Sequence, residues 1–241
     1  MLAAAPAAAG LPEVIAMARP SVLPIGTFDP LGSPRFAFRG TAFVVGDGRH
    51  VVTNEHVVTI ADAKSPPRYA VRVPNGDDRG DWRLATLVML DKAHDLALLR
   101  LDGEPLPPLR LAAPDGVREG QAIALMGFPI GGVLGFQPVT HRGIVASIAA
   151  IALPAANASQ LSDRSLAALR RGSFDVYQLD ATAYPGNSGG PVFDADTGEV
   201  VAVINMVLIK GSRESALQHP TGISYAIPVR HVRALVDAYV R

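Results

Sequence analysis

The chain of 241 residues contains no cysteine. That absence excludes disulfide staples, thiolate zinc sites and a cysteine nucleophile, though it assigns no compartment. Net charge is absent as well, since 22 basic residues balance 22 acidic ones. Aromatics make up only 6% of the residues, and no dense Lys/Arg run is interleaved with them, so nucleic acid is not an expected partner. No apolar run reaches the roughly 18 residues that a membrane span needs. The alanine-rich opening, residues 1–20, has neither a basic leader nor a strongly apolar block and does not read as a complete signal peptide. No H-E-x-x-H, cysteine cluster or phosphate loop occurs, so neither a metal nor an organic cofactor is expected.

What remains is a chain that is 49% hydrophobic and punctuated by 23 glycines and 20 prolines. Many short apolar runs between Gly/Pro turns point to barrels or sandwiches. Candidate strands cover 21–27, 40–46, 50–54, 69–73, 85–91 and 96–101, then 121–127, 143–151, 176–180, 190–193, 200–206 and 222–226. A polar, Gly-containing stretch at 112–120 separates the two sets, between which no sequence repeat is visible. Residues 12–19 read as a short helix entered through Pro12 and Glu13 and stopped at Pro20. Residues 228–240 place Val229, Val232, Leu235, Val236 and Tyr239 on one helical face, and a third helix is expected over 161–171.

The chemistry concentrates in PGNSGGP, residues 185–191. A serine flanked by glycines is a candidate nucleophile, because glycine permits positive φ and close approach of a substrate to the backbone. Such a turn can aim successive N–H groups at one point, where an oxyanion forms when a carbonyl is attacked. Gly186 and Ser188 are the candidate donors, with Asn187 shaping the turn. A simple Gly/Ser/Asn hairpin loop is the alternative for this motif taken alone. The stretch also satisfies G-x-S-x-G, but that elbow needs a helix after the serine, and a hairpin follows here. An esterase or lipase built on the elbow is therefore disfavoured.

A serine hydroxyl needs a base. Of the six histidines, His56 in VVTNEHVV stands out, because a polar stretch, residues 53–56, ends a β-branched run and would place the ring at a strand's rim. His50 opens that strand and is expected to be exposed, His94 lies in a turn, His141 begins a strand, His219 lies in a loop and His231 sits on the terminal helix. The base needs an acid to fix its tautomer and stabilise the imidazolium. Asp95 precedes the apolar run LALLRL, whose burial would draw the carboxylate partly out of water; a strand-capping role is the alternative.

Taken together, the blocks GTAFVV, HVVTNEHVV, HDLALLRL, MGFPIGG, THRGIVAS, LDATAYPGNSGGPVF, GEVVAVIN and GISYAIP resemble the trypsin-like serine peptidases, most closely the HtrA/Deg branch, in that family's order from Gly40 to Leu235. The resemblance implies an all-β fold: two six-stranded antiparallel β-barrels packed together, with a short N-terminal helix and a C-terminal helix. It divides the chain into an extension at 1–20 and a peptidase domain at 21–241, with the first barrel at about 21–112, the second at about 119–227 and the helix at 228–240. It implies a triad of His56, Asp95 and Ser188, an oxyanion hole at Gly186, Asn187 and Ser188, and substrate contacts from Thr182, Asn205, Met206, Val207 and Ile223. Thr182 stands where trypsin-like pockets carry an aspartate, and Ile223 where large-pocket relatives have glycine, so small to medium aliphatic residues are expected before the scissile bond. Protein or peptide substrates, including unfolded ones, and a secreted or periplasmic location are implied, while a cytoplasmic one stays open.

The chain also departs from the branch. A PDZ domain usually follows the helix, and here the sequence ends there. Residues 1–27 lack the aromatics on which the branch's trimers lean, so the resemblance does not fix the oligomeric state. The insertion 153–174 is longer than usual. A peptide-binding or chaperone-like module of low turnover on the same fold is the competing function.

Overall fold

The computed structural model describes residues 10–59, 67–74, 81–129, 131, 135–151, 174–205 and 223–240. The expected helix over 161–171 and loop residue His219 lie outside them, as does most of the insertion.

A short helix, α1 (Leu11–Ala18), enters through Pro12 and passes into a 3₁₀ turn over Arg19–Ser21, one residue beyond the expected stop. The first barrel follows: β1 (Val22–Phe28), β2 (Phe36–Val45), β3 (His50–Thr53), β4 (Tyr69–Val73), β5 (Asp81–Asp91) and β6 (Leu96–Leu101). The second comprises β7 (Ala122–Gly127), β8 (Val139–Ile151), β9 (Phe174–Asp180), β10 (Pro191–Asp194), β11 (Val200–Asn205) and β12 (Ile223–Pro228). Each sheet closes on itself with every pairing antiparallel, in the orders β1-β2-β3-β6-β5-β4 and β7-β8-β9-β12-β11-β10. Two six-stranded barrels of identical strand order thus replace the open edges of a sheet. A one-turn helix, α2 (Glu55–Val58), follows β3, and α3 (Val229–Tyr239) closes the chain.

The apolar runs have two faces to bury. In LALLRL, Ala97, Leu99 and Leu101 fill the first barrel with Ile25 and Val51, whereas Leu96 and Leu98 turn outward against the second barrel. Successive side chains alternate across a strand, so a strand buried on both sides reads as a continuous apolar run. Ile123, Leu125, Leu179 and Ile204 fill the second barrel. Between the barrels lies a third apolar cluster containing Phe43, Val52, Met126, Phe193 and Val203, which α1 and α3 complete through Val14, Val232 and Val236. The connector binds both bodies: Leu109 donates its N–H to Val44, and Ala112 donates to Val200.

β2, β5 and β8 begin earlier than their apolar patterns suggested, because Phe36–Phe38, Asp81–Leu84 and Val139–His141 pair beyond the buried part of the barrel. His50 corrects another expectation. It is only 6% exposed, since its Nδ1 meets Asp47 at 2.8 Å and Tyr239 from α3 covers its ring. Among the described residues, no helix is long and apolar enough to cross a membrane.

Candidate active site

β3 ends at Thr53, and the chain turns through α2, which carries His56. A single helical turn, rather than the strand's own rim, therefore presents the ring. Asp95 occupies the β5–β6 turn with φ of 51°, a left-handed conformation that aspartate tolerates better than most side chains. It is 6% exposed and organises the front of α2. Its backbone carbonyl accepts from Glu55 N–H at 3.1 Å and from Asn54 Nδ2 at 3.0 Å. One carboxylate oxygen accepts from His56 N–H at 2.9 Å, and the other lies 2.6 Å from His56 Nδ1. An ionised carboxylate only accepts, so Nδ1 carries a proton, and in the neutral ring Nε2 is the nitrogen that keeps a lone pair.

The serine turn comes from the second barrel, between β9 and β10. Asn187 donates its N–H to Tyr184 O at 2.9 Å, with Pro185 second and Gly186, at φ of 103°, third in the turn. This is the pattern of a type II turn, which requires positive φ at its third position. A side chain there would also strike the Phe128 carbonyl, 2.2 Å from where its Cβ would sit. Asn187 thus spends its N–H on the turn, whereas among the described residues no backbone acceptor takes those of Gly186 or Ser188.

Thr41 of β2 fixes this turn from the first barrel. Its N–H donates to Ser188 O at 2.9 Å, its hydroxyl donates to Gly186 O at 2.7 Å, and that hydroxyl accepts from Phe128 N–H at 3.1 Å. Thr53 Oγ1 donates in turn to Thr41 O at 2.7 Å. A Cβ on Gly189 would lie 2.2 Å from both Thr41 O and Thr53 Oγ1, so the turn is pressed against the strand end just before His56. On Gly40, a Cβ would lie 2.9 Å from both Ser188 O and Val57 Cγ2. His56, Asp95 and Ser188 are thereby gathered at the seam between the barrels.

Asn205, buried at the end of β11, donates its side-chain amide to the second Asp95 oxygen at 2.7 Å. Sequence reasoning had valued its backbone toward substrate and missed this bond. Thr41 was missed too, although a lone hydroxyl inside the buried run GTAFVV was a readable signal. Ile223 pairs with Asp180, and Ser224 Oγ donates to Ala181 O at 2.7 Å, so Ile223, itself 42% exposed, lies beside the segment that leads into Thr182. Met206 and Val207 lie outside the described residues.

Comparison with known proteins agrees with this architecture. A family model described as a trypsin-like peptidase domain matches residues 40–203. A Marinomonas protein named "Probable periplasmic serine endoprotease DegP-like" is 30% identical over 89% of this chain and 38% of its own length. The bovine "Serine protease HTRA2, mitochondrial" is 34% identical over 80% of this chain and 34% of its own length. The chain therefore spans little more than a third of these relatives. In fold it matches the solved HtrA-type protease AlgW with tripeptide, at a TM-score of 0.67 and 23% identity, over 97% of this chain and 64% of that one. On the family match, and with the two closed barrels in place, the chain belongs to the trypsin-like peptidase family, and the relatives it resembles carry DegP-like and HTRA2 names.

Proposed function

We propose that the protein is a serine endopeptidase that cleaves internal peptide bonds of protein substrates through an acyl-enzyme, with His56, Asp95 and Ser188 as its triad. The observation that carries the reading is the 2.6 Å contact of His56 Nδ1 with Asp95, on an α2 held at the serine turn by Thr41 and Thr53. Ser188 Oγ attacks the scissile carbonyl carbon while its proton passes to His56 Nε2. The C–N bond then breaks as His56 returns that proton to the departing amine. Water repeats the sequence and releases the acid, with Asp95 holding the tautomer throughout. The N–H groups of Gly186 and Ser188 receive the oxyanion.

A binding or chaperone-like module of low turnover would need those donors occupied or turned away. The Pro185–Gly186 turn supports turnover instead, because it leaves both donors without a backbone acceptor among the described residues. Labelling with a fluorophosphonate probe tests the assignment: the native chain is expected to react at Ser188, and Ser188→Ala is expected not to. Equal labelling of both would overturn it.

Substrate selection is assigned to Thr182 and to Ile223 at the start of β12. Without a buried carboxylate at Thr182, a Lys or Arg side chain has nothing to offset its desolvation. The Ile223 side chain is expected to shorten the pocket, and the strand end at Asn205 to offer backbone groups to an extended peptide. Cleavage after Val, Ala or Ile is expected, and mass-spectrometric mapping of sites in an unfolded substrate checks it; dominant cleavage after Arg, Lys or Trp would refute it. The relatives' names place them in the periplasm and in mitochondria, and we assign this chain to a periplasmic or secreted location, to be tested by fractionation.

A further inference from the structure

In a chain without cysteine, the helix that carries His56 must be tied to its barrel by non-covalent bonds. Its front is tied by Asp95. Its back is a helix end, where carbonyls lack intrahelical partners and must be satisfied otherwise. Thr59 N–H closes the turn on Glu55 O at 2.9 Å, and the Tyr69 hydroxyl donates to Val58 O. Arg39 supplies the remaining donors: Nε to Val57 O at 2.5 Å, and Nη2 to His56 O at 3.4 Å and Thr59 O at 3.0 Å. One guanidinium thus grips three of the five carbonyls from Glu55 to Thr59, one of them that of His56 itself.

The backbone is shaped for this grip. The β1–β2 register steps from Ile25↔Gly40 to Gly26↔Phe38, so Arg39 is the extra residue of a bulge. A bulge bends its strand and re-aims a side chain that regular pleating would send elsewhere. Arg39 also lies two residues before Thr41, which holds the serine turn. The same short piece of β2 therefore mounts the base on one side and the nucleophile on the other. A planar fork of donors suits several carbonyls at once, which a lysine ammonium on a flexible stem does not.

We propose that Arg39 is a positioning residue for His56, holding α2 so that Nε2 and Ser188 Oγ keep their reactive alignment; this rests on the triad reading above. Displacement of a catalytic group by about 1 Å costs on the order of 10²-fold, so the effect belongs in kcat and not in substrate affinity.

The test compares Arg39→Met, which keeps the apolar stem but no donor, with Arg39→Lys. Peptide hydrolysis is normalised to sites titrated with a fluorophosphonate, so a smaller folded fraction does not enter. In Arg39→Met, kcat per titrated site is expected to fall about 10- to 100-fold, with KM held within about twofold. Arg39→Lys should recover only part of the loss. The low-field proton resonance of His56 Nδ1–H should broaden in Arg39→Met, a change that a merely structural role would not produce. A kcat per titrated site within twofold of the native chain would overturn the proposal, and if Arg39→Met does not fold, the same result in Arg39→Lys would do so. If the native chain itself fails to label, the triad reading has failed and this proposal falls with it. A native chain that labels beside unaffected Arg39 variants removes Arg39 alone.

Discussion

The two barrels share one strand order, yet they hold the proposed base and nucleophile by opposite means. In both, the connection from the third strand to the fourth carries the key residue: His56 lies between β3 and β4, and Ser188 between β9 and β10. The first barrel holds its residue with hydrogen-bonding side chains and backbone, since Asp95, Arg39 and Tyr69 engage the N–H groups of Glu55 and His56 and the carbonyls of His56, Val57 and Val58. The second holds its residue with the absence of side chains, since Gly186 and Gly189 let the turn press against neighbouring backbone. Each barrel also sends one polar group across the seam, Thr41 to the serine turn and Asn205 to Asp95. The site should therefore be vulnerable to lost donors on one side and to added methyl groups on the other.

The most severe test removes the three proposed triad groups themselves. Ser188→Ala, His56→Ala and Asp95→Asn should each lower casein hydrolysis by about 10⁴-fold, and a double variant should be little worse than a single one, because the three act as a unit. Circular dichroism should show each variant folded. Additive losses would separate the barrels' contributions and refute a shared step.

Methyl groups come next. In Gly186→Ala the new Cβ would meet the Phe128 carbonyl at 2.2 Å, at a φ of 103° that an L side chain rarely adopts. The turn must move, and the Gly186 and Ser188 N–H groups with it. A loss of about 10²- to 10³-fold in kcat is expected, the scale of a missing oxyanion donor. The His56 Nδ1–H resonance should persist, since the first barrel is untouched. Its disappearance would mean that the two sides are not independently held.

A smaller effect is expected from the ties across the seam. Asn205→Ala removes one of three donors to the Asp95 carboxylate, and Thr41→Val removes a hydroxyl that bonds both Gly186 O and Phe128 N–H. Each buried hydrogen bond contributes about 1 kcal/mol, with more at stake where a partner is left unsatisfied, so roughly tenfold losses in kcat are expected. The two losses should be less than additive if both act on the same alignment, which steady-state kinetics of the double variant would show.

The sequence made one half of this comparison easier to read than the other. Strands followed from apolar runs, and PGNSGGP exposed the serine turn because glycines and a proline are local instructions. Asp95 and His56 could be chosen because each interrupts or abuts an apolar run. Partners across the molecule were not legible: Asn205 and Asp95 are 110 residues apart, and the lone hydroxyl of Thr41 stands out in its run but nothing local names Gly186, 145 residues on, as its partner. Arg39 was equally silent, since a lone charge in a strand says nothing of the bulge that re-aims it. His50 misled because its burial depends on Tyr239, at the far end of the chain. Local chemistry was legible, and tertiary satisfaction of polar groups was not.

The mildest prediction concerns how α3, which follows the second barrel, is sealed onto the first. His231 of α3 stacks on His94 of the β5–β6 turn with ring centroids 3.7 Å apart, and Phe174 of β9 packs edge-on to both. His94 Nδ1 is engaged by Asp91 at 2.6 Å. Burial holds the His231 pKa down to about 4, with the charges of His94 and Arg230 adding to the effect and those of Asp91 and Asp175 opposing it. Among the described residues its buried Nε2 has no hydrogen-bond partner, consistent with a neutral ring. A pKa lowered from 6.5 in the unfolded chain means that the unfolded state binds the extra proton first. The neutral stack is therefore fully stabilising above about pH 6.5 and loses ground as pH falls from there toward 4. The ring is half-buried, so solvent screening reduces the full linkage value to about 1 kcal/mol between pH 7 and pH 5. For a chain of this size that lowers Tm by about 2–4 °C. His231→Gln should flatten this part of the Tm-against-pH curve in scanning calorimetry while leaving fluorophosphonate labelling at pH 8 intact. An unchanged slope would place the acid sensitivity elsewhere, and lost labelling would mean that the seal on His94 reaches its neighbour Asp95.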